Sequence, residues 1–332
     1  MQRIVAVGSE TAVRKHVERY RRFDDATVCG VVDADREPCV DEGVGFDDID
    51  VPRYHSLSEV LQTTDGDVDG VDICGPGAAF VDALETALAV STPVRCDPPV
   101  AFDAETFDRL VTASTESEGW ILSHSPHRFS RMYERLHSAV ESGGIGPIGV
   151  ARIERAAPFD GPGWNVSYDG VSVVEGPVRT LCAVLAHDVD VLEWTFGPVE
   201  RVFVRARAGG RYDHAHAVFA FRDGGRATVG TRWHRAETPA PRIGVEYSGK
   251  HGRLDFSEDD ASTALREGST PLAVDPPEDD CRGRALRAFI DRLGGSERPP
   301  TDVAPVTSSR VVVAARRSAD ENRPVTLAEE SP

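Results

Sequence analysis

For its first 123 residues the chain alternates short apolar runs with stretches of helical period. From about Ile148 onward, strand-length runs follow one another instead. Ile4, Val5, Ala6 and Val7 form an apolar run that stops at Gly8, and Ser9, Glu10 and Thr11 lead into a helical stretch through Tyr20 and Arg22. Thr27 to Val32 is a second, largely β-branched run ending at Asp33. A loop follows, with Asp47, Asp48 and Asp50 as solvated surface, and Ser56 with Glu59 gives the spacing of a capping box that opens a helix over 56–61. Val71 to Cys74 reads as a strand ending at Gly75-Pro76-Gly77, Phe80 to Val90 as an amphipathic helix, and Val94 to Cys96 as a strand ending at Asp97-Pro98-Pro99. A helix over 103–117 and a strand over 120–123 complete an alternation that predicts a parallel sheet covered on both faces.

The second half carries a different pattern. A strand is predicted over 149–154 and a helix over 178–196, followed by strands near 199–207, 214–222, 226–234, 241–248 and 252–257. Asp223-Gly224-Gly225 and Ser248 to Gly252 are hairpin turns. Helices near 282–294 and 304–319 follow, and the stretch Asp320 to Leu327 ends the fold. The expected architecture is an α/β N-terminal Rossmann-type doubly wound parallel sheet over 1–124, with a second α+β domain over 125–332 built on a mainly antiparallel open sheet.

Ligands of a parallel sheet sit at the carboxyl ends of its strands. Those ends, Gly8, Asp33, Gly75 and Asp97, should therefore line one crevice. Asp33 follows Gly8 by about 25 positions, where a dinucleotide fold places the acid that holds the adenine ribose hydroxyls. The turn after Gly8 is incomplete. In the glycine fingerprint the second glycine admits the pyrophosphate and the third lets helix and strand close up, and these positions are Glu10 and Val13. Glu10 would either turn away to solvent or oppose a phosphate at the helix N-terminus. The candidate cofactor residues are Gly8, Ser9, Glu10, Thr11, Ala12, Asp33, Gly75, Pro76, Asp97 and Pro98. The expected cofactor is NAD ahead of NADP, since Asp33 would repel a 2′-phosphate; Arg36 is the opposing charge, and binding is weak or lost if the turn fails.

Composition narrows the partners. The formal net charge of −18 argues against nucleic acid and anionic membrane surfaces. Nearly all basic residues are arginine, with lysine only at Lys15 and Lys250, a balance that suits a halophilic, high-salt cytoplasm. No apolar run is long enough to span a bilayer, and the N-terminus reads as a strand; a cytoplasmic location is expected. Six cysteines, at 29, 39, 74, 96, 182 and 281, show no C-x-x-C spacing and read as reduced, mostly buried thiols. His214 and His216 alternate on one strand and share a face, but no third ligand lies at a useful spacing, so no metal is predicted.

With those elements in place, several short motifs in order resemble the Gfo/Idh/MocA family, the glucose-fructose oxidoreductase and inositol dehydrogenase group. They are Pro76, Val94-Arg95-Cys96-Asp97-Pro98-Pro99, His127-Arg128-Phe129-Ser130, Ile145-Gly146-Pro147-Ile148, His187-Asp188-Val189-Asp190, and Arg317-Ser318 through Pro324-Val325. The resemblance implies an NAD(P) domain, an α+β domain whose open sheet forms a homo-oligomer interface, and a sugar or polyol substrate held between the two. It also implies a lysine in Glu-Lys-Pro that contacts the reacting carbinol, and an Asp four residues before a His that supports proton transfer. Here the lysine position is Pro98 and the Asp position is Ala183. The Pro-Asn-x-x-His pattern reads Pro76 to Phe80, and the glycine run near the nicotinamide reads Pro177-Val178-Arg179. His187 is the remaining candidate acid or base, with Asp190 one turn on as the acid placed to set its tautomer. Arg95 and Arg179 are the cations that could replace the missing charge. A histidine among Leu181, Val184, Leu185 and Leu192 also fits a plain core residue. Two readings follow: an NAD(P)-dependent sugar or polyol dehydrogenase with altered motifs, or a non-catalytic dinucleotide- or sugar-binding relative acting as a partner subunit.

Overall fold

The computed structural model describes residues 1–33, 49–65, 67–74, 78–158, 177–207, 212–234, 242–259, 262–267, 270–272, 280–296 and 307–327. They fall into two compact units. The first opens with β1 (Gln2–Gly8), α1 (Glu10–Tyr20), β2 (Ala26–Asp33), β3 (Arg53–Tyr54), α2 (Leu57–Thr63), β4 (Gly70–Cys74), α3 (Ala78–Ala89), β5 (Val94–Cys96), α4 (Ala104–Glu116) and β6 (Ile121–Ser123). Every pairing in its sheet is parallel, in the order β3-β2-β1-β4-β5-β6. Strand order reverses between β1 and β4, which makes their carboxyl ends the switch point where such sheets bind ligands.

Local sequence explains the helix starts. Ser56 accepts from the Glu59 N–H at 3.2 Å, and the Glu59 carboxylate takes the His55 N–H at 2.8 Å, close to a reciprocal capping box. Asp103 caps α4 through the Thr106 N–H at 2.9 Å. β3 was not anticipated: its two residues sit at the sheet edge, where pairing with Val31 and Val32 supplies what a dipeptide's own pattern cannot.

The second unit begins at Ser125. It contains the 3-10 turn Pro126–Phe129, α5 (Arg131–Glu141), β7 (Ile148–Pro158), α6 (Pro177–Phe196), β8 (Val199–Arg207), β9 (Tyr212–Phe221), β10 (Arg226–His234), β11 (Arg242–Gly249), β12 (Arg253–Asp259), β13 (Ser262–Glu267) and β14 (Thr270–Leu272). The chain continues through α7 (Cys281–Leu293) and α8 (Thr307–Glu321) to β15 (Val325–Thr326). The sheet runs β14-β13-β12-β11-β7-β10-β9-β8-β15 and is antiparallel except where β7 and β10 pair in parallel. β13, β14 and β15 extend it beyond the predicted strands. Alternation decides its faces: Ala151, Ile153, Ala217, Phe219, Ala227, Val229, Val245 and Tyr247 point into one core with Leu185, Val189 and Leu192 of α6 and Val311 of α8.

The segment from Arg282 departs from the expected division at 124/125, because it returns to the first unit and not the second. Leu286, Phe289 and Ile290 of α7 pack with Ile4, Tyr20, Ala26 and Leu122. The Phe289 ring meets Trp120 edge-on at 5.6 Å, and Arg287 pairs with Asp25 at 2.6 Å. A helix so far along the chain carries no sequence mark of which core it joins; the apolar patch left at Ile4, Tyr20 and Leu122 decides it.

Phe289→Ala is therefore expected to cost about 3–5 kcal/mol of the first unit's stability. Hydrogen exchange should show protection falling in β1, β4 and β6 while β9 and β10 keep theirs; equal loss in both units would contradict the assignment of α7.

Candidate functional site

The first unit gathers part of the predicted cofactor set at one end of its sheet. Gly8, Asp33 and Cys74 are register partners at the ends of β1, β2 and β4. A Cβ on Gly8 would stand 2.6 Å from the Cys74 carbonyl oxygen, so the strands can close here only around glycine. Ser9 is the N-cap of α1 and its side chain makes no cap bond, so the first-turn N–H groups of Glu10, Thr11 and Ala12 are not consumed by it. Glu10 does not oppose a phosphate: its carboxylate is drawn along the helix to Arg14 at 2.7 Å, an i, i+4 pair. Val13, at the third glycine position, is fully buried with Ala6, Val17 and Val31, so a small Ala6 on β1 faces the valine that replaced glycine on α1. These features fit a dinucleotide's pyrophosphate at the helix N-terminus. Asp33 is held by Arg53 of β3 at 3.3 Å, a cation the sequence pattern did not point to. Gly75, Pro76 and Arg36 lie outside the described residues.

Asp97 has another occupation. Its carboxylate is buried, bonded to Arg95 and, at 2.9 Å, to Arg282 of α7. Arg95 also reaches Asp72 at 3.1 Å; Asp72 lies in the middle of β4 and takes His16 Nδ1 at 2.7 Å and the Tyr20 hydroxyl at 3.1 Å. Burial works against the Arg95 charge, but Asp97 and Asp72 outweigh it and hold the guanidinium protonated. Burial likewise pushes the Asp72 carboxyl up, and His16 and Arg95 more than reverse this. His16 goes the other way: burial lowers its pKa despite Asp72. Burial, helped by the Asp72 and Asp97 carboxylates, drives the Cys74 thiol well upward. His16, Asp72 and Cys74 bring three ligand atoms within 4.8 Å of one another, yet two guanidiniums stand beside them and their atoms already bond each other, which opposes a cation there. The sequence does signal this network: an Asp alternates with Val71 and Ile73 in β4, and His16 shares the apolar face of Val13, Val17 and Tyr20.

In the second unit three neighbouring residues of α6 are each held by buried partners. Asp188 pairs with Arg155, which is fully buried on the inward face of β7; Nε donates at 2.9 Å and a second nitrogen makes a closer contact. Asp190 receives Arg128 in a two-pronged pair at 2.6 and 2.8 Å, and also the backbone N–H of Ser125 at 2.9 Å. His187 is buried, its Nδ1 lies 3.1 Å from the Ser125 hydroxyl, and its ring is 5.8 Å from that of His127. The expected partner of His187, Asp190, is thus committed to Arg128, and Ser125 takes its place. Sequence reading missed Ser125 because the contact crosses from a 3-10 turn to a helix 62 residues away. Arg179 and Ala183 fall in the part of α6 whose side chains are outside the described residues. On β9, His214 and His216 do share a face, with ring centroids 5.7 Å apart.

Glu193, one turn beyond this cluster, accepts the Val199 N–H at 3.0 Å, and burial raises its pKa to about 7.

The comparisons with known proteins match both units. A model described as "Oxidoreductase family, NAD-binding Rossmann fold" covers residues 2–123, and the GFO/IDH/MocA C-terminal domain covers 133–255. Myo-inositol 2-dehydrogenase of Thermotoga maritima is 24% identical over 305 residues, 89% of this chain and 84% of that protein. Inositol 2-dehydrogenase of an Arthrobacter species is 27% identical over 173 residues, 49% of this chain and 48% of its own length. Among solved structures, the WlbA dehydrogenase of Bordetella pertussis, in complex with NADH and UDP-GlcNAcA, shares the fold with a TM-score of 0.76, 17% identity and 99% coverage of both chains. No described helix is long and apolar enough to cross a membrane.

The raised Glu193 pKa has a sign that can be checked. The folded state binds this proton more tightly than the unfolded chain, so the contribution is fully present below about pH 4.5 and is lost as pH rises through about 7. Glu193→Gln keeps an acceptor for Val199 and removes the buried charge, so it should raise stability above pH 7 by up to about 3 kcal/mol and flatten the fall between those pH values. Urea unfolding across pH 4 to 9 tests this; an unchanged slope would contradict it.

Proposed function

We propose that this chain, which belongs to the Gfo/Idh/MocA family of oxidoreductases and resembles its inositol dehydrogenases, acts on a polyol or sugar with NAD in the first unit and His187 as its acid–base group. The observation that carries the reading is the seating of His187: a buried imidazole on α6, with a hydrogen-bond partner on one nitrogen and a helix pinned on both sides by Arg128–Asp190 and Arg155–Asp188. A ring in a fixed orientation is what proton transfer at a carbinol needs. When bound, NAD supplies the hydride acceptor or donor. The chain's own residues would then orient the adenosine end at Asp33, receive the pyrophosphate at the N-terminus of α1 and move a proton at His187.

A second reading is favoured by one specific observation. The family's lysine position is Pro98, and Arg95, the nearest replacement, is buried between Asp72 and Asp97, where it cannot support a reacting oxygen. Lys15 lies on α1 and Lys250 in the turn between β11 and β12. A chain with cofactor binding but slow or absent turnover, serving as a binding or partner subunit, follows from that loss. Val150 and Val218, exposed on the outward face of the nine-stranded sheet, support that face as a homo-oligomer contact. The net charge of −18 supports work in a high-salt cytoplasm.

Two measurements test these readings. Titration by fluorescence in multimolar KCl should show NADH bound more tightly than NADPH by roughly tenfold or more, about 1.4 kcal/mol, because Asp33 repels a 2′-phosphate. Arg53→Ala should widen that gap, since Arg53 offsets the Asp33 charge, and tighter NADPH binding by the unaltered chain would overturn the assignment. On the second reading, a screen of polyols and sugars with NAD and NADP should give little turnover, reduced by about 10²–10⁴-fold for want of the lysine's help in proton transfer. Robust turnover abolished by His187→Ala is the outcome expected of the first reading, and it would overturn the second.

A further inference from the structure

The proton inventory around Ser125 determines more than a contact. A serine hydroxyl has one proton to give and two lone pairs to receive. Ser125 is fully buried, so its hydroxyl proton needs an acceptor inside the protein. Its backbone N–H goes to Asp190 Oδ2 at 2.9 Å, its carbonyl takes the Arg128 N–H at 3.1 Å, and its Oγ accepts the His127 N–H at 3.2 Å. The remaining Oγ contact is His187 Nδ1, at 3.1 Å. Asp190 does not compete for this proton: its carboxylate receives Arg128 and the Ser125 backbone. All of these bonds are satisfied together only if the serine hydroxyl donates and Nδ1 accepts.

We infer that Ser125 is a positioning residue that holds neutral His187 in the tautomer with Nδ1 bare and the proton on Nε2. A carboxylate partner imposes the opposite. It can only accept, so it draws the proton to Nδ1 and leaves Nε2 with a lone pair ready to act as a base. With serine in that role, the neutral ring offers Nε2–H as a hydrogen-bond donor to a carbonyl or hydroxyl oxygen. To serve as a base at Nε2 it must first change tautomer, with Nδ1–H donating to Oγ and the buried hydroxyl proton losing its acceptor. A buried donor left without an acceptor is disfavoured, so base catalysis starts from a minor form of the ring. The substrate class this favours is one recognised through an oxygen that accepts, such as the carbonyl of a keto-polyol or keto-sugar, over an alcohol that must surrender a proton.

The inference rests on the reading of His187 as the acid–base group, but its test needs no substrate. Two-bond proton–nitrogen correlation spectra of the full chain labelled with 15N-histidine, recorded at pH 9, distinguish a bare from a protonated ring nitrogen. His187→Gln identifies the His187 signals. The expected pattern is a bare Nδ1 and a protonated Nε2, replaced in Ser125→Ala by the averaged shifts of a ring no longer held, and restored in Ser125→Thr, which keeps the hydroxyl. A protonated Nδ1 in the unaltered chain, or a pattern indifferent to Ser125→Ala in a variant that remains folded, overturns the inference. The unaltered chain alone decides the tautomer if Ser125→Ala fails to fold. The two failures are distinct: turnover that depends on His187 with a protonated Nδ1 removes only the tautomer assignment. A bare Nδ1 in a chain that binds cofactor but never turns over removes only the dehydrogenase.

Discussion

A carboxylate taken out of water must be given a cation and a full set of hydrogen bonds, and both units are organised by how they meet that demand. In the first, Asp72 lies in mid-strand on β4, and Arg95, His16 and Tyr20 converge on it from β5 and α1. Asp97 continues the chain of charges to Arg282, so the start of α7 is tied to the end of β5. In the second unit, Arg155 and Arg128 meet Asp188 and Asp190 on one helix. Arginine supplies the cation in each of these pairs, as suits a planar donor that stays charged when buried and can grip a carboxylate with two nitrogens. Pairs of this kind add little net stability, but removing one partner strands a buried charge, so they fix geometry more than they add free energy.

That geometry bears on the role proposed for His187. Leu185, Val189 and Leu192 seat α6 in the core, and the two ion pairs add fixed polar anchors to that packing. With Asp188 and Asp190 fixed on different sides, His187 has one orientation, and Ser125 meets it from the turn that Arg128 also anchors. In the first unit the same device occupies Arg95 and Asp97 with each other and with Asp72 and Arg282. Both lie in the stretch that matches the family's Glu-Lys-Pro site, Arg95 ties β5 to β4, and Asp97 ties the end of β5 to α7.

The cofactor turn shows how a fold absorbs the loss of glycines. Val13 occupies the third glycine position, and the room it takes is met by Ala6 on the facing strand. Glu10 occupies the second, and Arg14 one turn on draws its charge aside. Gly8 alone admits no such substitute, because the atom that a side chain would strike is backbone.

Much of this was legible in the residues alone. Apolar runs separated by capped helices, with Gly8, Asp33 and Asp97 at strand ends, determine the parallel sheet and its switch point, since period and turn chemistry are local properties. The change to alternating strands after Ile148 determines the second sheet in the same way, and strands over 199–207 and 226–234 follow from the sequence with their observed bounds. The tertiary structure decided what depends on partners distant in the chain. Arg282 returns to Asp97 across 185 positions, and α7 joins the first core rather than the second. Ser125 meets His187 across 62, and Arg53 meets Asp33 over a strand too short to announce itself. Which hydrogen bond a buried side chain makes is set by the groups that folding brings within about 3 Å, and no spacing along the sequence encodes that choice.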